Sequence, residues 1–436
     1  MYIQIFMFEP KQVTCSDFVN CRESYNLKQV YLTVLYEISN YFLVILIVIF
    51  ILIYLSIKIK YPFWNLHPVK HSYLSFISWF NCKAPRIVYE YEIPVIKYYN
   101  PINVITKQYS KLNDQEIHKV IDFIQCNLLE SELLFTTKNR EVIEHYVSCD
   151  LKESVFSWYI FENNLTGVIF SRPITIVFVS TFTLKQVHEA MFLDTICIAS
   201  SRNITKPRTK DLYALLESHF INQSHIHTDR SISLFRNRYN SKTCAGICPV
   251  VTYKSFVYEV RELLSLQNTP RLPPHFVCES LSPLTWSMFL EQNPFSFCCY
   301  PNIIQLIDRD EYFAYCLKRG NAIYAYYFFN KNYTVFEQIG WTNGGKTLEF
   351  LGSYNANKTN KELNHLFYLG FKYCLRDILQ SFAFSTLIVN NLSHNDGVLF
   401  EINKYSKSIA YETMSYFQYN CIWHEAPLDS VKCFII

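Results

Sequence analysis

The chain has 436 residues, 50% of them hydrophobic and 17% aromatic, which is enough for two to three domains' worth of buried core. A net charge of +3 is too small to argue for a nucleic-acid partner, and 33 Tyr and 35 Phe beside only 9 Gly argue against any site built on many glycines. Fifteen cysteines show no paired zinc-ligand spacing, so no metal site is expected and they read as free, mostly buried thiols of a reducing compartment.

From Ile38 to Ile57 there is no charged residue, and about 20 such residues span a bilayer at a helical rise. The run begins too far into the chain for a cleaved signal peptide. Residues 38–57 are therefore expected to be a transmembrane helix. Lys58, Lys60 and Lys70 follow it, against Arg22 and Lys28 before it. The positive-inside rule then leaves 1–37 non-cytoplasmic and puts the large C-terminal part, with any catalytic function, in the cytoplasm of a single-pass membrane protein. Six N-x-Ser/Thr sequons, at Asn164, Asn203, Asn222, Asn332, Asn357 and Asn391, keep open a lumenal glycoprotein with a signal anchor.

After the helix, "KIKYPFWNLHPVKHSY" carries Pro62 and Pro68 and reads as extended. A helix is expected over 113–129, with Asn113 and Glu116 spaced as a capping box and Ile117, Val120, Ile121 and Ile124 on one face. The β-branched and aromatic run 154–180 reads as two or three antiparallel strands, with turn residues at Asn163-Asn164. Residues 194–220 read as strand, basic loop and helix. The helix N-terminus with Lys206, Arg208 and Lys210 is either a phosphate site or a solvated loop. Further on, 321–341 reads as a hairpin turning at Asn330-Lys331-Asn332. A strand over 346–355, a helix over 359–379 and a strand over 384–389 follow. The Pro-rich 268–275 marks a seam. The expected class is α+β, with two halves, 58–267 and 268–436, each combining antiparallel strands with a helix-after-strand unit.

Residues 61–71, "YPFWNLHPVKH", resemble the segment that opens the characteristic region of the N-myristoyltransferases, with Tyr61, Phe63, Trp64, Pro68 and Val69 in place and Asn65 standing where the family has Asp. "GVIFSRPITI" (167–176), "TICI" (195–198), 390–405, "YFQYNCIW" (416–423) and the final "DSVKCFII" resemble later family segments in the same order. The resemblance runs from about Tyr61 to Ile436, not over the membrane segment, and implies two tandem GNAT-like acyltransferase halves, an acyl-CoA-binding first half and a peptide-binding second half, with the expected transmembrane helix preceding them. It implies transfer of myristoyl from myristoyl-CoA, a substrate and not a cofactor, to the N-terminal glycine of peptides or proteins at a membrane lipid surface. It also implies the residue roles. Tyr61, Pro62, Phe63, Trp64, Cys197, Ile198, Lys206, Arg208 and Lys210 would hold acyl-CoA. The backbone N–H groups of Thr195 and Ile196, with Cys197 beside them, would form the oxyanion hole, and the carboxylate of Ile436 would be the base. The chain departs from the family pattern at Asp194, where Asn is usual, and at "KYSKSIA" (404–410), where a glycine-rich loop is usual. An inactive relative that binds acyl-CoA, a peptide or a protein partner is the alternative.

The tail "VKCFII" admits three readings: a prenylation box at Cys433, a plain last strand, or a strand that carries the terminal carboxylate into an active site.

Overall fold

The structure is a computed structural model, and it describes residues 15–74, 86–127, 135–138, 152–178, 186–199, 209–239, 241–267, 271–292, 296–332, 334–337, 346–356, 361–422 and 433–435. Two units are distinguished, Met1–Asn65 and Leu66–Ile436.

The first unit is dominated by helix α1 (Cys15–Lys60), 46 residues long and about 69 Å at 1.5 Å per residue. Its stretch Leu35–Lys60, 26 residues, is long and apolar enough to cross a membrane, and it runs beyond both ends of the uncharged run. Tyr41 to Tyr54 expose large apolar side chains all round. Lys58 and Lys60 close the last turn, with the Lys58 ammonium 4.7 Å from the Tyr54 ring centre.

The second unit begins with short turns and then β1 (Arg86–Ile87), β2 (Val104–Gln108) and α2 (Asp114–Asn127). The capping box forms as expected: Glu116 N donates to Asn113 Oδ1 at 2.9 Å and Asn113 N donates to Glu116 Oε2 at 3.2 Å. Val120, Ile121, Phe123 and Ile124 are buried under the helix. Next come β3 (Phe135–Lys138), β4 (Val155–Phe161), β5 (Asn164–Phe178), β6 (Gln186–Ile198), α3 (Thr209–Ile226), β7 (Ile232–Arg238) and β8 (Val251–Glu259). The later elements are β9 (Phe276–Ser280), α4 (Pro283–Gln292), β10 (Ser296–Cys299), α5 (Ile303–Asp308), β11 (Tyr312–Arg319), β12 (Ala322–Asn332), β13 (Thr334–Glu337) and β14 (Lys346–Asn355). The chain closes with α6 (Lys361–Ser381), β15 (Phe384–Asn390), α7 (Asn395–Ile402), β16 (Ala410–Tyr419), β17 (Cys421–Ile422) and β18 (Cys433–Ile435).

Two expectations fail. Residues 58–73 are not extended: Lys58–Lys60 end α1, and Trp64–Leu66 and Ser72–Leu74 form short 3-10 turns. Asn330-Lys331-Asn332 is not a turn, because β12 runs straight through it to Asn332. The hairpin turn lies earlier, between β11 and β12, where Gly320 adopts φ +57. The strand before that turn, β11, went unread.

Most strands join one 14-stranded sheet in the order β18-β10-β5-β6-β7-β16-β8-β15-β14-β12-β11-β9, with β4 and β2 added on β5. The long β5 pairs with β4 through its first part and with β10 through Thr175–Val177. Two copies of one plan are visible. In the first, β4, β5 and β6 run antiparallel, α3 crosses over, and β7 returns parallel to β6. In the second, β11, β12 and β14 run antiparallel, α6 crosses over, and β15 returns parallel to β14. The strand β8, from before the Pro-rich seam, lies between β16 and β15, so the sheet is continuous across the chain midpoint. One core lies beneath α2, a second beneath α6, and a third joins β5 and β7 to β10, β11 and β12.

Candidate active site

The register of β5 and β6 slips once. Phe170 pairs with Thr195 and Ser171 with Leu193, so Asp194 is an extra residue on β6, a β-bulge. On its other side β6 pairs with β7 only from Ala190 to Leu193, opposite Ile232 to Phe235. Among the described residues no strand pairs with that edge of β6 beyond Leu193. The two parallel strands thus part at the bulge. A bulge followed by a parting of parallel strands leaves a slot lined on one side by backbone N–H and C=O groups.

A buried charge cluster sits at the bulge. Arg172 on β5, 2% exposed, donates from Nε to Asp194 Oδ2. Its Nη2 donates to the Tyr300 hydroxyl at 2.6 Å, and that hydroxyl donates to Asp194 Oδ1 at 3.3 Å. The guanidinium also lies 4.0 Å from the Tyr300 ring centre. A charge in the middle of an apolar strand is tolerated only with such a partner set. Tyr312, fully buried nearby, has its hydroxyl pushed up to about 12 by burial, with Arg172, Asp194 and Glu349 all acting on it.

Glu349 on β14 centres a second cluster that joins the two halves. It accepts from Arg236 Nη1 on β7 at 3.0 Å, from Asn332 Nδ2 at 2.7 Å and from Asn390 Nδ2 at 2.7 Å.

The helix α3 after the slot is unusual in burying polar side chains. Glu217 accepts the N–H groups of Ile96, Lys97 and Tyr98 at 2.8–2.9 Å, and His67 Nε2 lies 3.5 Å from it. Burial raises this carboxyl, but His67 and the three backbone donors outweigh burial and its pKa lies below the ordinary value. His67 Nδ1 is also 3.2 Å from the Tyr419 hydroxyl, and Tyr419 stacks on Phe220 at 3.8 Å. His219 bridges Ser157 and Ser171 at 2.9 and 3.1 Å, with its pKa pushed down to about 3 by burial, so it is neutral. These contacts pin α3 against the 93–100 segment and against β4 and β5.

This architecture matches crystal structures of N-myristoyltransferase from Saccharomyces cerevisiae. The structure with bound myristoyl-CoA gives a TM-score of 0.53 at 11% identity, over 83% of this chain and 93% of that one. The structure with bound myristoyl-CoA and inhibitors gives 0.55 at 10% identity, over 84% and 92%. The chain has the N-myristoyltransferase fold. By sequence, no protein-family model and no curated protein matches it.

Within this fold the residues singled out from sequence fall as follows. Thr195, Ile196, Cys197 and Ile198 all lie on β6 beyond the bulge, with Thr195 and Cys197 buried and Ile196 and Ile198 half-buried. Lys210 is exposed in the first turn of α3, next along the chain from β6. Lys206, Arg208 and Ile436 lie outside the described residues. Tyr61, Pro62, Phe63 and Trp64 follow α1 in the first unit. Phe63 and Trp64 are buried with their rings edge to face at 4.6 Å, Tyr61 N donates to Ile57 O at 2.9 Å, and Pro62 is exposed. Among the described residues no three His, Cys, Asp or Glu side chains are grouped to hold a metal. Sequence reading missed Arg172, Tyr300, Arg236 and Glu349. Arg172 carried a signal, a lone charge inside "GVIFSRPITI"; Tyr300 carried none.

Proposed function

We propose that the chain is an acyl-CoA-dependent acyltransferase that moves a myristoyl group from myristoyl-CoA to the N-terminal glycine amine of peptides or proteins, at the cytoplasmic face of the membrane that α1 crosses. The observation that carries this reading is the bulge at Asp194, with β6 and β7 parting at Leu193. It lies one residue before the backbone donors named from sequence. In the proposed reaction, N–H groups of Thr195 and Ile196 hold the thioester oxygen as it becomes an oxyanion. Cys197 and Ile198 continue the wall along the acyl-CoA; Tyr61, Pro62, Phe63 and Trp64 are acyl-CoA contacts on the resemblance alone. Lys206, Arg208 and Lys210 meet the CoA phosphates at the start of α3, where the helix dipole adds to their charge.

An α-amine with a pKa near 8 is mostly protonated at about pH 7 and needs a base. The tail supports the terminal carboxylate in that role. β18 runs parallel to β10, with Ile435 opposite Cys298, and β10 leads on to Tyr300 at the Arg172–Asp194 cluster. Pairing as a strand also favours this reading over prenylation, which is normally followed by removal of the last three residues.

A second reading, an inactive relative that binds acyl-CoA, is supported by Asp194 itself, whose carboxylate is already held by Arg172 and Tyr300. The test is transfer of a labelled myristoyl group from its CoA ester to a Gly-starting peptide by the full chain, beside a variant extended by one Ala after Ile436. Transfer that the extension abolishes supports the terminal base. Transfer that tolerates it keeps the enzyme and removes the base. Binding without transfer leaves the second reading.

A further inference from the structure

The segment 400–411, "FEINKYSKSIAY", contains the 404–410 stretch that stands where the family pattern has a glycine-rich loop, and it has no part in the reaction above. It is firmly held from below. Ile402 and Ser406 are buried, Ser406 Oγ donates to Glu262 Oε2 at 2.7 Å, Tyr258 Oη donates to Asn403 Oδ1 at 2.9 Å, and Ile409 N donates to Val257 O at 2.7 Å. So anchored, it turns large apolar side chains outward: Phe400 is 66% exposed, Tyr405 53%, Tyr411 55%, and Ile409 is exposed with them. Four such residues within twelve is a costly surface to leave in water.

Each of the three rings carries a lysine. Lys404 Nζ lies 4.6 Å from the Phe400 ring centre, Lys372 Nζ 5.3 Å from Tyr405, and Lys254 Nζ 5.4 Å from Tyr411. Lys407 is exposed on the same loop. The nearby acids are engaged: Glu401 with Lys404 at 2.5 Å, Glu412 with Arg238 at 3.4 Å, and Glu262 with Ser406. The Ser406 hydroxyl leaves Glu262 its charge, so four lysines stand against two carboxylates, Glu401 and Glu262, in a patch whose apolar part is mostly aromatic. Aromatic rings at headgroup depth, with lysine stems laid along apolar surface and ammonium groups beyond, are how protein surfaces meet an anionic bilayer.

We propose that residues 400–411, with Lys254 and Lys372, form a contact for an anionic lipid surface. Charge complementarity selects the lipid class. The occupant is a bilayer because the same chain carries a helix long and apolar enough to cross one, which keeps lipid at high local concentration. The proposal is independent of acyl transfer.

The test is hydroxyl-radical footprinting of the full chain in detergent, in phosphatidylcholine nanodiscs, and in nanodiscs that also contain phosphatidylserine. Labelling of Phe400, Tyr405 and Tyr411 is expected to fall several-fold in the anionic discs and less in the neutral ones, while Tyr91 (73% exposed) and Leu284 (71% exposed) keep theirs. The double substitution Lys404→Glu, Lys407→Glu is expected to restore labelling. Equal labelling in all three environments, an equal fall at Tyr91 and Leu284, or protection by a Gly-starting peptide in detergent with no response to lipid would each overturn it. The last outcome would make the loop a peptide surface.

Discussion

The two halves of the sheet carry the same device and treat it oppositely. Each has a bulge on the strand that precedes its crossover helix, at Asp194 on β6 and at Leu351 on β14. In each, pairing to the returning parallel strand stops just before the bulge, at Leu193 and at Phe350. In the second half, residues 390–395 then fill the gap. Asn395 Nδ2 donates to Asn390 O at 2.7 Å, Ser353 Oγ donates to Asn395 Oδ1 at 2.6 Å, His394 N donates to Ser353 O at 3.2 Å, and Asn355 N donates to His394 Nδ1 at 2.8 Å. The chain thus satisfies its own parted strand there. In the first half the bulge carries a buried ion pair and, among the described residues, no strand takes the edge beyond it. The shared plan leaves two parted strands, and side chains after β15 close one of them.

The sharpest way to break this comparison is at the ion pair. Asp194→Ala strands the buried Arg172 charge and is expected to destabilise the second unit by about 3–5 kcal/mol in denaturant unfolding, whereas Arg172→Met with Asp194→Leu comes back to within about 1 kcal/mol of the parent. At the matching bulge, Leu351→Ala leaves only a cavity: about 2–3 kcal/mol is lost and acyl-CoA binding by titration calorimetry is unchanged.

His219, neutral in the folded first half with a pKa of about 3 against 6.5 unfolded, sets a pH slope. The unfolded chain binds the extra proton, so the full contribution is present above pH 6.5 and falls away toward pH 3. The loss is about 2 kcal/mol at pH 5, read from unfolding midpoints, and His219→Gln removes that share of the slope. Asn395→Ala, which unplugs the second slot, is expected to cost about 1–2 kcal/mol. Lys210→Ala, on an exposed first turn, leaves stability alone and raises KM for acyl-CoA about two- to fivefold.

Much of the frame was legible because local chemistry and tertiary packing agree. Asn113 and Glu116 specify a helix start and form it; the 167–176 run is a strand because its apolar residues are buried on both faces. The hairpin over 321–341 was misread because Asn-Lys-Asn has turn composition, while β12 holds those residues extended between β11 and β14. There Asn332 is buried and donates to Glu349. The bulge at Asp194 is invisible in sequence, since it is a count of residues against a partner strand. Arg172, Asp194 and Tyr300 meet across strands β5 and β6 and the turn after β10, a spacing no local pattern encodes. The tail's strand character was readable from "CFII", whereas its parallel seat beside β10 was not.

The most direct measurement is photo-crosslinking of the full chain with a non-transferable thioether analogue of myristoyl-CoA that carries a diazirine beside the sulfur. Label on β6 beyond Leu193 and on the facing part of β7 is the expected result. Label on 351–355 or 390–395, or none that excess myristoyl-CoA displaces, would contradict a donor site in the first-half slot.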